Sequence, residues 1–299
     1  MPTPTDLSGV HVALTTPFDP ETARVDLDAL ERHADWLLGN GITGLVPNGS
    51  LGEYESLDRD ERRAIVETVA GVTKGRGKLI VGVSAPNWRI AGDHTEHAAS
   101  IGADAVMLLP PTNHASTRAE VTDHYRSVAQ YDVPIVIYNN PFSTRTDLEP
   151  DLVAEIAESD AIAAVKEFSG DVRRLSAIAE RAPHLQLLCG ADDLALESAL
   201  MGAVGWIGGF TGALPRETVR LFELGRLGDL TAALPLYRAM LPLLRWDSGP
   251  RFVEAIKHTI DLLDLPGGGL PRPPRRVLDR LTADLVAGQL QVARGASRA

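Results

Sequence analysis

Ala161-Ile162-Ala163-Ala164-Val165-Lys166 is an apolar run with no polar side until its last residue, which is an ammonium. A strand without a wet face suits a parallel sheet covered on both sides. Seven similar runs accompany it: Val10–Leu14, Gly44–Val46, Leu79–Val83, Ala105–Leu109, Pro134–Tyr138, Leu185–Leu188 and Val204–Ile207. Together with Ile162–Val165 they recur every roughly 20 to 40 residues, the period of a strand–helix unit. Helical patterns fill the intervals, among them Leu27 to Leu38 and Asp58 to Val72, the latter opening on Asp58-Arg59-Asp60-Glu61. After Gly225 only helical patterns remain, at Gly228–Leu244, Phe252–Leu263 and Arg275–Leu290. They are broken by Asp247-Ser248-Gly249-Pro250 and by the proline- and glycine-rich stretch from Leu265 to Pro271.

This order predicts an α/β protein. Residues 1–225 form a (β/α)8 TIM barrel, and residues 226–299 form a C-terminal helical extension packed on it as one structural unit. Residues 293–299 are expected to fray. The competing doubly wound sheet needs a phosphate-binding glycine turn after its first strand, and Thr15-Thr16-Pro17-Phe18-Asp19 is not one.

The bulk composition narrows the function. The 299 residues carry 29 basic and 40 acidic side chains, a net charge of −11, which argues against a nucleic-acid surface. One cysteine, Cys189, excludes an internal disulfide and a cysteine-rich zinc site and fits a cytoplasmic location. Met1-Pro2-Thr3-Pro4-Thr5-Asp6 has no basic-then-apolar pattern of a signal peptide, and runs such as Val133 to Tyr138 are too short to span a bilayer.

In such barrels the working groups sit at the C-terminal ends of strands. Period-two alternation puts Lys166 on one face with Ile162 and Ala164. If that face is the lumen, poor solvation disfavours the ammonium, and an amine must be neutral to attack a carbonyl. An isolated lysine at a strand end can equally be salt-bridged, so the neighbours matter. Tyr138 ends the preceding strand on the same face as Val136, where a phenol can pass protons to and from a carbinolamine. Gly49-Ser50-Leu51-Gly52-Glu53, after the second strand, offers successive backbone amides as an anion site; a plain turn with a helix cap is the alternative.

These three turns together resemble the dihydrodipicolinate synthase / N-acetylneuraminate lyase family. That family has a Gly-hydroxyl-hydroxyl-Gly-Glu loop after strand two, Tyr-Asn-x-Pro after strand five and Lys-Glu/Asp-x-Ser-Gly-Asp after strand six. Here they are Gly49 to Glu53, Tyr138 to Pro141 and Lys166 to Asp171. The resemblance implies Lys166 as the Schiff-base lysine, Tyr138 as proton shuttle and Ser50 as hydroxyl relay. It implies that the amides of Ser50 and Leu51, beside Gly49, hold a 2-oxo-acid carboxylate. Gly190 and Ile207 then line the pocket, and Asp192 matches a substrate-hydroxyl contact of the sialic-acid branch, with Asp193 beside it. No metal or organic cofactor is implied. The implied partners are a small 2-oxo acid or imino acid and further copies of the chain, as a tetramer.

Three departures bear on substrate. The synthase proper has a second hydroxyl residue where Leu51 stands. It has a tyrosine reaching into the neighbouring subunit's site where this chain has Pro110-Pro111-Thr112-Asn113. It also has an arginine two residues after the Tyr-Asn-x-Pro proline, where this chain has Ser143, with Arg145 out of register. These argue against lysine biosynthesis. The texture of Val46 to Tyr54 and of Leu244 to Ser248 looks like a catabolic branch associated with hydroxyproline breakdown, whose member is a 1-pyrroline-4-hydroxy-2-carboxylate deaminase. The reaction expected is therefore dehydrating deamination to 2-oxoglutarate semialdehyde. The alternatives are a pyruvate-producing class I aldolase, dihydrodipicolinate synthase, and a non-catalytic 2-oxo-acid sensor on the same fold.

Other signals read more simply. His94 and His97 have a metal-compatible spacing, but a solvated helix face is the expectation. Lys74-Gly75-Arg76-Gly77-Lys78 reads as a solvated loop at the opposite end of the barrel, Cys189 as a small buried side chain, and Trp246-Asp247 as a helix end packed on the barrel rather than a lid.

Overall fold

The computed structural model describes residues 5–112 and 114–296. Eight strands follow one another in chain order: β1 Gly9–Ala13, β2 Gly44–Val46, β3 Lys78–Gly82, β4 Ala105–Leu108, β5 Ile135–Asn139, β6 Ile162–Glu167, β7 Gln186–Cys189 and β8 Gly205–Gly208. Each pairs in parallel with the next, and β8 pairs with β1, so the barrel closes and the open-sheet alternative is excluded. The helices are α1 Leu27–Leu38, α2 Arg59–Thr73, α3 Trp88–Ser100, α4 Arg118–Val128, α5 Pro141–Thr144, α6 Pro150–Ile156, α7 Arg173–Arg181, α8 Ala195–Leu200, α9 Pro215–Leu227, α10 Leu230–Leu244, α11 Phe252–Leu262 and α12 Arg280–Ala296. None is long and apolar enough to cross a membrane among the described residues.

Local chemistry sets the helix starts. Asp26 caps α1 through the amide of Ala29, and Asp58 with Glu61 forms a reciprocal capping box on α2. Such a cap contributes about 1 kcal/mol.

Strand alternation sorts the core into two shells. Val12, Leu45, Val81, Val106, Ile137 and Val165 pack outward under the helices. Val46, Ile80, Met107, Val136, Ala164, Leu188 and Ile207 pack together on the other side. Ile162 departs from the expected alternation, because it belongs to the outer shell. The cause is a register shift: Ile135 pairs with Ile162 but Val136 pairs with Ala164, which leaves Ala163 as an extra residue. The irregularity brings Ala164 and Lys166 level with Val136 and Tyr138.

The helical extension closes over the same interior. Leu236, Met240 and Leu243 of α10, Val253 and Ile256 of α11, and Val286 and Leu290 of α12 join the inner cluster. α12 begins later than the pattern from Arg275 suggested. Pro271, Pro273 and Pro274 remove amide donors upstream, and Asp279 instead caps the amide of Thr282. It also runs further, to Ala296: Ala293 is fully buried rather than frayed. Residues 297–299 lie outside the described residues.

His94 is buried, which corrects the solvated face, while His97 pairs with Glu67 at 3.0 Å on α2. Three further histidines, His11, His33 and His124, are buried. His33 meets the carbonyl of Gly212 at 2.9 Å, and burial pushes its imidazole down to about 4; burial does the same to His124. The unfolded chain therefore binds protons that the folded one refuses. Stability from these two groups is fully present above about pH 6.5 and is lost as pH falls from there towards 4, by about 3 kcal/mol each. Urea unfolding between pH 7 and 4 checks this. His33→Gln and His124→Gln should each flatten the loss, and an unchanged slope in both contradicts the assignment.

Candidate active site

At the C-terminal ends of the strands a cavity of about 310 Å³ opens between the barrel and the turn after α10. Lys166 and Tyr138 are direct neighbours in the β5–β6 register, and both are buried. Lys166 Nζ lies 4.2 Å from the centroid of the Tyr138 ring and 5.9 Å from that of Phe168. Among the described residues no hydrogen bond or ion pair holds this Nζ, so it is available to an electrophile in the cavity. The intervening residues of the two motifs do the structural work. Asn139 Nδ2 donates to Glu167 Oε2 at 3.0 Å, Glu167 Oε1 accepts from the amide of Ser169 at 2.6 Å, and burial raises the Glu167 carboxyl above its ordinary range. Alternation thus puts the reactive pair inside and a strand-end clamp outside.

Asn140 is a site residue the sequence reading passed over. Its Oδ1 accepts from the amide of Ser143, which fixes the amide's orientation, and its Nδ2 donates to the Tyr138 hydroxyl at 3.0 Å. Tyr138 therefore accepts from Asn140 and keeps its own proton for another partner.

The turn after β2 supplies the opposite wall through Gly49, Ser50 and Leu51. Asn48 and Glu53 take left-handed backbone at φ 59 and 56 to make it. The amides of Ser50 and Leu51 donate to no protein acceptor among the described residues, as an anion-binding turn requires. Glu53 anchors the turn from below: its Oε1 lies 2.7 Å from Lys257 Nζ in a fully buried ion pair, and its Oε2 accepts from the Arg272 amide at 2.9 Å. Nothing in the sequence pairs positions so far apart.

Gly190 and Ile207 line the cavity as expected, but Asp192 and Asp193 do not. Asp192 is fully buried behind the wall and is spent on the protein: it accepts from Trp206 Nε1 at 2.9 Å and from the amides of Gly209 and Phe210 at 3.1 and 2.7 Å. Asp193 accepts from the Ser248 hydroxyl at 2.8 Å. The carboxylate that reaches the cavity is Asp247, with Ser248 beside it. Its Oδ2 accepts from the Asp192 amide at 3.3 Å. Gly209 makes room, since a Cβ there would stand 2.9 Å from Asp247 Oδ1 and 2.5 Å from Ile256. Burial raises both carboxyls above the usual range, Asp247 well above it because it also faces Asp192.

Around the wall, Lys166 is the single cation among the described lining residues. Ser143 takes a lining position, whereas Arg145 is exposed in a left-handed cap after α5. Thr112 lies away from this cavity, lining a second one with Tyr54 and Arg62. Asn113 lies outside the described residues. Cys189 is buried against the carbonyl of Ala191, and burial pushes its thiol up, which disfavours a nucleophilic thiolate. No group of three His, Cys, Asp or Glu side chains among the described residues could hold a metal ion.

Residues 6–291 match the model of the dihydrodipicolinate synthetase family. A 4-hydroxy-tetrahydrodipicolinate synthase of Methanoculleus marisnigri is 32% identical over 280 residues, 91% of this chain and 94% of that protein. Among solved structures, the 4-hydroxy-tetrahydrodipicolinate synthase of Methylacidiphilum fumariolicum superposes with a TM-score of 0.91 at 27% identity, covering 97% of both chains. A Ruminococcus gnavus sialic acid aldolase, at 22% identity and a TM-score of 0.90 over 97% of both chains, shares the fold.

Proposed function

We propose, from the premise that this chain belongs to the dihydrodipicolinate synthetase family and is a lyase of the lysine Schiff-base type, that it dehydrates and deaminates 1-pyrroline-4-hydroxy-2-carboxylate. The observation that carries this reading is the charge inventory of the cavity. Among the described lining residues Lys166 is the single cation, and the amides of Ser50 and Leu51, which donate to no protein acceptor there, can serve as one anion site. A condensing synthase must hold the carboxylate of pyruvate and a second carboxylate on the incoming aldehyde. Here Ser143 stands where the resemblance puts the synthase's arginine, and it lines the cavity beside Phe142.

Each cavity group then has a task. The amides of Ser50 and Leu51 hold the substrate carboxylate, which presents the ring imine carbon to Lys166 Nζ. Attack opens the ring and leaves an iminium on Lys166, an electron sink for the adjacent carbon. Tyr138, oriented by Asn140, gives its proton to the departing ring nitrogen, and the phenolate left behind takes a proton from that carbon with Ser50 as relay. The electron pair expels the 4-hydroxyl as water. The new double bond then shifts along the chain, a proton moving from the aminated carbon, to turn the terminal amine into an imine, and hydrolysis of both imines releases ammonia and 2-oxoglutarate semialdehyde. The atoms balance without an oxidant or a cofactor. The enzyme acts in the cytoplasm as a homo-oligomer, a tetramer on the family's pattern. Thr112 stands where the synthase proper has its cross-subunit tyrosine, so each site works with little help from its neighbour.

A second reading, the synthase, is favoured by the names of the relatives. Purified protein should be given 1-pyrroline-4-hydroxy-2-carboxylate, 4-hydroxy-2-oxo acids, and pyruvate with aspartate semialdehyde. Ammonia with semialdehyde from the first supports the deaminase. Pyruvate from the second replaces it with an aldolase, and consumption of the third pair replaces it with the synthase.

A further inference from the structure

Asp247 has no part in the steps above, yet among the described residues it is the one carboxyl group on the cavity wall. We infer that Asp247, in its protonated form, is the general acid that protonates the departing hydroxyl of the substrate. The inference rests on the dehydration reading and adds the group that reading lacks.

Placement supports it first. In barrel order Tyr138 on β5 flanks Lys166 on β6 from one side. Asp247 comes from the other side, against Gly209 after β8 and the amide of Asp192 after β7. A substrate joined to Lys166 thus meets a base on one flank and a carboxyl on the other. Elimination of water asks for both: a proton leaves carbon on one side while an oxygen gains one on the other.

The proton inventory supports it independently. The charged or titratable groups that act on Asp247 include Cys189 on β7, Asp192 and Asp193 after it, and Lys166 on β6. Asp192 has three donors on its oxygens, from Trp206, Gly209 and Phe210, and these stabilise its anion. Asp247 has the single amide of Asp192. Two buried carboxyls in one field share one negative charge, and the member with more hydrogen-bond donors takes it. The charge sits on Asp192 and the proton on Asp247, on the cavity side. Burial, and next the proximity of Asp192, hold Asp247 protonated well above the ordinary carboxyl range.

In the step itself, the proton next to the iminium passes to Tyr138 and Ser50, and its electron pair forms the new carbon–carbon double bond. The carbon–oxygen bond breaks with its pair on oxygen, which takes the Asp247 proton and leaves as water. The second carboxylate so created faces the iminium cation on Lys166. With Tyr138 whole again, the proton set free when the iminium is hydrolysed returns to Asp247 through water, and the cycle closes.

The test compares wild type with Asp247→Asn on two substrates, the 4-hydroxy imino acid and its 4-chloro analogue, whose leaving group needs no proton. Borohydride trapping with pyruvate serves as a check on the site and should be unchanged within about twofold. Ammonia release from the hydroxyl substrate should fall about 10²–10⁴-fold, while chloride release stays near wild type. The alkaline limb of the wild-type pH profile should vanish in the variant, and Asp247→Glu should recover part of the rate. Equal losses on both substrates, or near-normal turnover of the hydroxyl substrate, overturn the role of Asp247 and leave the deaminase reading standing. Wild type that releases no ammonia from either substrate overturns that reading and this inference with it.

Discussion

Borohydride added to the enzyme with its substrate or pyruvate should attach a reduced adduct to one peptide, the one containing Lys166, and Lys166→Ala should abolish both adduct and turnover. The chain makes this a sharp experiment, because it has only four lysines. Lys74 and Lys78 flank the loop before β3, at the opposite end of the barrel, and Lys78 is paired with Asp104 at 2.9 Å. Lys257 is committed to Glu53 in the buried pair beneath the anion turn. Lys166 alone combines a place on the cavity wall with a nitrogen free of hydrogen bonds and ion pairs among the described residues. Its contacts with the Tyr138 and Phe168 rings contribute about 1–2 kcal/mol at most, so the alanine variant should fold with a near-normal melting temperature. Mass spectrometry of the digested protein reads the outcome. An adduct on another lysine, or none with any substrate, would falsify the Schiff-base assignment to Lys166.

Tyr138→Phe is expected to lower kcat by about 10²–10⁴-fold, the usual contribution of a positioned proton shuttle, while borohydride trapping on Lys166 remains detectable. The separation follows from geometry. Phenylalanine keeps the ring against which Lys166 rests and the edge contact with Phe168, whose centroid is 6.4 Å away, so the nucleophile stays in place. What disappears is the hydroxyl that accepts from Asn140 Nδ2 at 3.0 Å. Steady-state rates and trapping yield on the same preparation tell the two roles apart. A near-normal kcat would show that Tyr138 only packs.

The strands were legible because each is a local event. Buried parallel strands advertise themselves as short apolar runs, and eight such runs in alternation with amphipathic helices allow few architectures. Observed strand limits match the apolar runs or differ by one or two residues: β6 continues past its last apolar side chain into Lys166 and Glu167, whereas β1, β3 and β4 stop one residue before the end of theirs. The motif residues Gly49, Ser50, Leu51, Tyr138 and Lys166 were legible for a related reason: each sits at a strand end, and in a barrel all strand ends converge on one mouth.

Tertiary structure decided what depends on approach between distant segments. The extra residue at Ala163 is invisible in an alanine-rich run, yet it sends Ile162 to the outer shell and brings Lys166 level with Tyr138. Asp192 and Asp193 look alike in sequence, but only packing reveals that Trp206 and two backbone amides occupy Asp192 and that Ser248 occupies Asp193. The sequence reads Trp246-Asp247 as a helix end packed on the barrel, with no chemical task for Asp247. It becomes the carboxyl of the cavity because α10 returns its C-terminal end to the barrel mouth beside Gly209. Local propensity and alternation, which the sequence carries by itself, therefore determine the barrel and the strand ends on which Lys166 and Tyr138, the proposed nucleophile and shuttle, stand. The partners of Glu53, Asp192 and Asp247 are set by long-range contact, because a buried charge takes its properties from the few groups within hydrogen-bond reach and here those come from elsewhere in the chain.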